Sequence, residues 1–154
     1  MALQSNPSMW KLHIAPFTMT VGTVVAVVGS FLSWLNSGRH GRSSFELLGV
    51  VQRLGFVPNG PTRTIVRSWP VMPLLLTIGV VLVWWGWRSI GAAVASIGAL
   101  YAGAIGGAVA FAAPEARGIQ ISDAPRTTFI GAVVVLFGSL LAVLVRVPSA
   151  DGNP

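Results

Sequence analysis

Residues 17–35, 69–87, 89–113 and 127–145 form four runs without a single Asp, Glu, Lys, Arg or His. A bilayer core of about 30 Å needs about 20 residues of helix to cross it. One Arg at its centre would cost at least about 2.5 kcal/mol. The runs therefore predict an all-α fold: a four-transmembrane-helix bundle in one membrane domain covering residues 1–154. Only 9% of the 154 residues are charged and 53% are apolar, against about 25% charged in a soluble domain.

The boundaries follow from punctuation. The first span is expected at 17–35, ended by Asn36, Ser37 and Gly38. Lys11 and His13 precede it in the manner of a signal peptide, but no small-x-small cleavage site interrupts the run to Leu35, so an uncleaved helix is expected. The second span, 69–87, has Trp69 at one end and Trp84, Trp85 and Trp87 at the other, as amphipathic rings favour the two water interfaces. Pro70 and Pro73 fall in its first turn, where a missing amide donor costs least. Arg88 alone separates it from the third span, 89–113, so the two must form a tight hairpin. The fourth, 127–145, lies between Arg126 and Arg146.

Helices in lipid associate through close backbone approach, which small residues permit. Gly91, Ala95, Ala99, Gly103 and Gly107 recur at every fourth position of the third span, and the last two make a GxxxG. A shorter ladder runs through Thr18, Gly22, Ala26 and Ser30 of the first span. These faces are expected to meet inside the bundle or to dock on a partner protein.

Between the first two spans, residues 36–68 carry five Arg (Arg39, Arg42, Arg53, Arg63, Arg67) against Glu46. Ser43 to Glu46 matches the capping-box pattern S-x-x-E and opens a run of Phe45, Leu47, Leu48, Val50, Val51 and Leu54, so a short amphipathic helix is expected over 44–54, stopped at Gly55. Such a helix caps the bundle as a lid or, with the arginines, makes a contact surface for a membrane partner or for anionic lipid. The net charge of +6 points to lipid head groups before nucleic acid, and no nucleic-acid partner is expected.

Chemistry has little to stand on. Cysteine is absent, which excludes disulfides and thiolate sites. His13 and His40 lie at or outside the span boundaries and are expected to be interfacial side chains, not haem ligands. Glu115 and Asp123, near Arg117 and Arg126, suit a solvated turn. Tyr101, mid-span, needs a hydroxyl partner from elsewhere, with contact to a quinone or lipid as the alternative. No phosphate loop, dinucleotide fingerprint, HExxH or nucleophile elbow occurs. No catalytic residue, metal or cofactor is expected.

The segment WLNSGRHGRSSFELLGVVQRLGF resembles one in small uncharacterised four-helix membrane proteins of high-GC actinobacteria, over about residues 29–75. The resemblance implies an envelope protein of a mycobacterium-like organism and transfers no catalytic residue. It also implies an extracytoplasmic first loop, whereas the excess of Lys and Arg beside the first and third loops places the termini outside. Assigning Arg39 and Arg42 to docking puts both termini in the cytoplasm. The expected role is a non-catalytic accessory subunit or assembly factor of a larger complex in the cell membrane. The alternatives are a small oligomeric channel or transporter for an uncharged solute, with Thr20, Thr23, Thr77 and Ser96 lining the path, or an anionic-lipid-binding membrane protein.

Overall fold

The computed structural model describes residues 7–37, 40–53, 60, 63–64, 67–112 and 119–144. Among the described residues these elements follow along the chain: α1 (Pro7–Phe31), β1 (Ser33–Ser37), β2 (His40–Ser43), α2 (Ser44–Arg53), α3 (Val71–Trp84), α4 (Arg88–Ala112), β3 (Ile119–Ile121) and α5 (Ala124–Leu144). Among the described residues three helices are long and apolar enough to cross a membrane: α1 over its His13–Phe31 stretch, α4 over Arg88–Phe111, and α5. The fourth apolar helix, α3, has 14 residues, about 21 Å at 1.5 Å per residue, which by itself falls short of a bilayer core.

The long helices pack in a ring. α1 lies on α5, α5 on α4 and α4 on α3, which closes back on α1. Neighbours run antiparallel: Gly22 meets Val135 and Gly131 while Gly29, one end further on, meets Thr128. Large apolar side chains cover the outside of all four, among them Phe17, Val24, Leu74, Ile78, Ile97, Leu100, Ile130 and Phe137. The interior is built from smaller ones, with Ala26, Ala95, Ala99, Ala102 and Ala132 fully buried beside Met19, Met72 and Leu76.

Several expected boundaries need correction. α1 begins at Pro7, where a missing N–H is one of the helix's unpaired donors anyway, and ends at Phe31 instead of 35. Residues 33–37 instead form the central strand of a three-stranded antiparallel sheet in the order β2-β1-β3, so the fold is not purely helical. The second span contracts to Val71–Trp84, because Gly86 (φ 94°) closes a C-terminal cap in which Gly86 N–H donates to Val83 O (3.1 Å) and Trp87 N–H to Leu82 O (2.9 Å). That cap makes the α3–α4 hairpin as tight as the sequence implied. α4 starts one residue early, at Arg88, and α5 three residues early, at Ala124, whose N–H bonds Ser122 Oγ at 3.2 Å. Residues 113 and 145, the expected ends of these spans, lie outside the described residues, as does Leu54.

The closest approach is α1 against α5. A Cβ on Gly131 would collide with the Ala26 amide nitrogen and sit 2.7 Å from its Cα, and one on Gly22 would sit 2.7 Å from the Val135 nitrogen. Gly49 on α2, by contrast, faces open space. Gly131→Ala is therefore expected to cost about 1–3 kcal/mol through overpacking, whereas Gly49→Ala should be neutral or stabilise by up to about 1 kcal/mol. Denaturant titration in detergent micelles checks both, and equal effects would contradict this packing.

Candidate functional site: the capped end of the bundle

At one end of the bundle the two loops that α1–α3 and α4–α5 leave behind are folded into one cap. The capping box forms as the spacing predicts: Ser43 N–H donates to Glu46 Oε2 (3.1 Å) and Glu46 N–H to Ser43 Oγ (3.4 Å), starting α2 at Ser44. Phe45, Leu47 and Leu48 of α2 turn toward the core, and Phe45 stacks on Phe31 at 4.8 Å. β1 pairs with β2 through Leu35↔Arg42 and Ser37↔His40, and with β3 through Leu35↔Ile121 and Ser37↔Ile119. The second loop is thereby tied to the first. Ser122 adds to the tie, donating its N–H to Trp34 O at 3.1 Å and its hydroxyl to Ser33 O.

Beneath the sheet lies a buried clasp. The β1–β2 register shifts between Ser33 and Leu35, leaving Trp34 as the extra residue of a bulge, the device by which a strand redirects one side chain. Trp34 is buried and donates Nε1–H to Gly29 O at 2.9 Å. Its ring meets Trp69 edge-on at 5.6 Å, and Trp69 meets Tyr101 edge-on at 5.7 Å. Trp69 Nε1–H donates to Ser44 Oγ (3.0 Å), whose hydroxyl donates to Ser30 O (2.5 Å). Tyr101 Oη shares a hydrogen bond with Ser68 Oγ at 3.1 Å, so its hydroxyl partner comes from the turn before α3. Trp69 is fully buried within the chain instead of presenting its ring outward as the other three tryptophans of the span do. The same aromatic that marks a membrane boundary is here sealed under the lid because Ser44 satisfies its N–H.

The small-residue ladders are spent inside this scaffold. Gly91 packs on Gly79 and Val83, and a Cβ added at Gly79 would touch Ala95, so the first half of the α4 ladder faces α3. Further along, Gly103 faces Ala132 and Gly107 faces Phe129, both on α5. Gly22 and Ala26 meet Gly131 across the α1–α5 contact. Ala99 and Ser30 are fully buried. Of the arginines, Arg42 on β2 and Arg63 and Arg67 before α3 are exposed at the capped end. Arg39 lies outside the described residues, as does the side chain of Arg53. Sequence reasoning did not assemble Trp34, Ser44 and Trp69, which are distant in the chain and share no motif.

The side chains suggested for a solute path differ in their surroundings, with Ser96 half-buried. Thr20 and Thr77 bond back to the carbonyls of Pro16 (2.7 Å) and Pro73 (2.8 Å), and Thr77 is exposed. Thr23 is buried, and its hydroxyl has no hydrogen-bond partner; the same holds for Ser139. Thr23→Val, which keeps the shape and removes a hydroxyl already deprived of water, should leave stability unchanged or raise it by about 1 kcal/mol. Ser44→Ala should have the opposite effect. It strands the Trp69 N–H and the Ser30 carbonyl together, costing about 1–3 kcal/mol, with loss of the near-ultraviolet circular dichroism of the Trp34–Trp69 pair. Unfolding titrations that rank the two variants the other way would refute the clasp.

No protein-family model, no curated protein and no solved structure matches this chain.

Proposed function

We propose that this chain is a non-catalytic integral membrane protein of the cell envelope, an accessory subunit or assembly factor that attaches to a larger membrane complex through its capped end. The observation that carries the reading is the division of labour between the two kinds of surface. The small-residue faces that would let a partner helix approach closely are used within the chain, at Gly22–Gly131, Gly79–Ala95 and Gly103–Ala132. What remains outward on the helices is mainly branched and aromatic, suited to lipid, with Ala93, Ala104 and Ala108 of α4 the small residues left exposed. The cap differs: it is braced by a buried hydrogen-bonded cluster and presents Arg42, Arg63 and Arg67 at its surface. A braced, basic surface suits an acidic partner, since complementary charge directs which partner docks.

In this reading α3, with the turns at Ser68–Pro70 and Trp85–Trp87, makes a fourth crossing between its antiparallel neighbours. The termini then share the cytoplasmic side of the plasma membrane and the cap faces away from it. The resemblance of residues 29–75 to actinobacterial proteins supports an envelope location in such an organism.

The test is purification of tagged chain from its native membrane in a gentle detergent, beside the double variant Arg42→Glu, Arg67→Glu. A stoichiometric membrane subunit should accompany the wild type and be lost from the variant, because like charges across an interface cost several kcal/mol. The melting temperature should be unchanged, as both arginines are exposed. A monodisperse lone chain, or a partner retained by the variant, would refute the proposal.

A further inference from the structure

The apolar band around the bundle is not equally tall on every side. Exposed apolar side chains run from Ile14 to Phe31 on α1 and from Ile90 to Phe111 on α4, about 26 Å and about 32 Å at 1.5 Å per residue. On α3 they run only from Val71 to Trp84. The groups beyond each end of α3 are held at that spacing. Ser68 Oγ is tied to Tyr101 Oη (3.1 Å) and Trp69 meets the Tyr101 ring at 5.7 Å, so α3 starts level with the middle of α4. Exposed Arg67 sits one residue before that tie. At the other end the Gly86 cap turns the chain through exposed Trp85 and Trp87 straight into Arg88. From Arg88 to Tyr101 is about 20 Å along α4, against about 30 Å for a bilayer core.

A shortfall of about 10 Å on one flank is met by snorkelling, by a covering partner or by a thinner bilayer. Snorkelling recovers part of it at Arg67, which has a long stem, but not at Trp85 and Trp87, whose rings favour the head-group level. A partner helix is disfavoured by what points outward: Leu74, Ile78 and Val81 are large, and Gly79 is buried against Ala95. We infer that the α3 flank selects phospholipids with short acyl chains and holds a thinned patch of bilayer against itself. The flank across the ring, α5, runs about 27 Å from exposed Arg126 to Leu144 and accepts tails of ordinary length. Selection is by tail and not by head group, because the polar groups of α3 side chains, the Thr77 hydroxyl and the Trp84 N–H, are bonded within the chain to Pro73 O (2.8 Å) and Thr20 Oγ1 (3.2 Å). The inference rests on α3 crossing the bilayer, as proposed above, and not on docking by the cap.

Cysteine is absent, so Ile78→Cys on α3 and Leu140→Cys on α5, both at exposed positions, each carry a single fluorophore on the full-length chain. The labelled chain is reconstituted in vesicles containing a doxyl-labelled phosphatidylcholine as quencher, which unlabelled dimyristoleoyl or the longer dioleoyl phosphatidylcholine then displaces. The shorter lipid should relieve quenching about threefold better than the longer one at the α3 label, and about equally well at the α5 label. Arg67→Leu extends the apolar band and should bring the ratio at the α3 label to about one, whereas Arg67→Lys should keep it. Equal ratios at the two labels, a preference for the longer tail at the α3 label, or a ratio unmoved by Arg67→Leu would each overturn the inference. The crossing is tested separately with a membrane-impermeant maleimide on Thr64→Cys and Ser89→Cys, both at exposed positions, which should react from opposite sides of the vesicle. Reaction from one side removes the crossing and the thinned patch together; opposite sides with equal lipid ratios remove the patch alone. Partner capture by the cap is read independently of both.

Discussion

The structure depends on how α1 stops. A helix leaves its last carbonyls without partners, and in apolar surroundings each one left bare is expensive. Here Val28 O accepts from Leu32 N–H (3.1 Å), Gly29 O from Trp34 Nε1–H and Ser30 O from the Ser44 hydroxyl. Each partner commits a different part of the chain. Trp34 can reach Gly29 only from a bulge, which sets the register of β1; Ser44 can reach Ser30 only where α2 begins, which lays that helix across the end of the bundle. Trp69 then completes the Ser44 hydroxyl and fixes where the chain re-enters as α3. One helix terminus thus organises the cap.

Features that depend on local chemistry could be read from the sequence. The charge-free runs located the long helices, S-x-x-E at Ser43 and Glu46 located the start of α2, and Arg88 as the sole break between two runs implied the abrupt α3–α4 turn. The sheet was not legible. Its strands are three to five residues long, and Ser-Trp-Leu-Asn-Ser and His-Gly-Arg-Ser carry neither alternation nor β-branched residues. Leu32 to Leu35 are as apolar as the helix before them, so hydropathy extends α1 to a point where hydrogen bonding has already ended it. The burial of Trp69 was illegible for a related reason: an aromatic beside a span looks the same whether it meets head groups or a buried serine. The ladders were visible as periodicity, but spacing does not say what lies opposite, and the α4 ladder changes partner from α3 to α5 along its length.

That change of partner explains the shape of the helix surfaces. α4 touches both neighbours through Gly and Ala, so its backbone can approach each closely and its larger side chains, Ile90, Ile97, Leu100 and Phe111, are left to the outside. α1 and α5 divide their residues in the same way. Close backbone contact is thus largely made within one chain, and under the proposed role recognition of a partner falls to the arginines of the cap.

The central position of β1 bears on the order in which the molecule can be completed. β2 follows β1 almost at once, but β3 arrives more than eighty residues later, immediately before α5. Pairing Leu35 with Ile121 closes a long loop, and such closures come late. Until then one side of β1 stays open, and the last helix threads into place with the strand that seals it. A chain whose final helix is out of place leaves that side of β1 unpaired, an open strand edge of the kind that templates association with other chains.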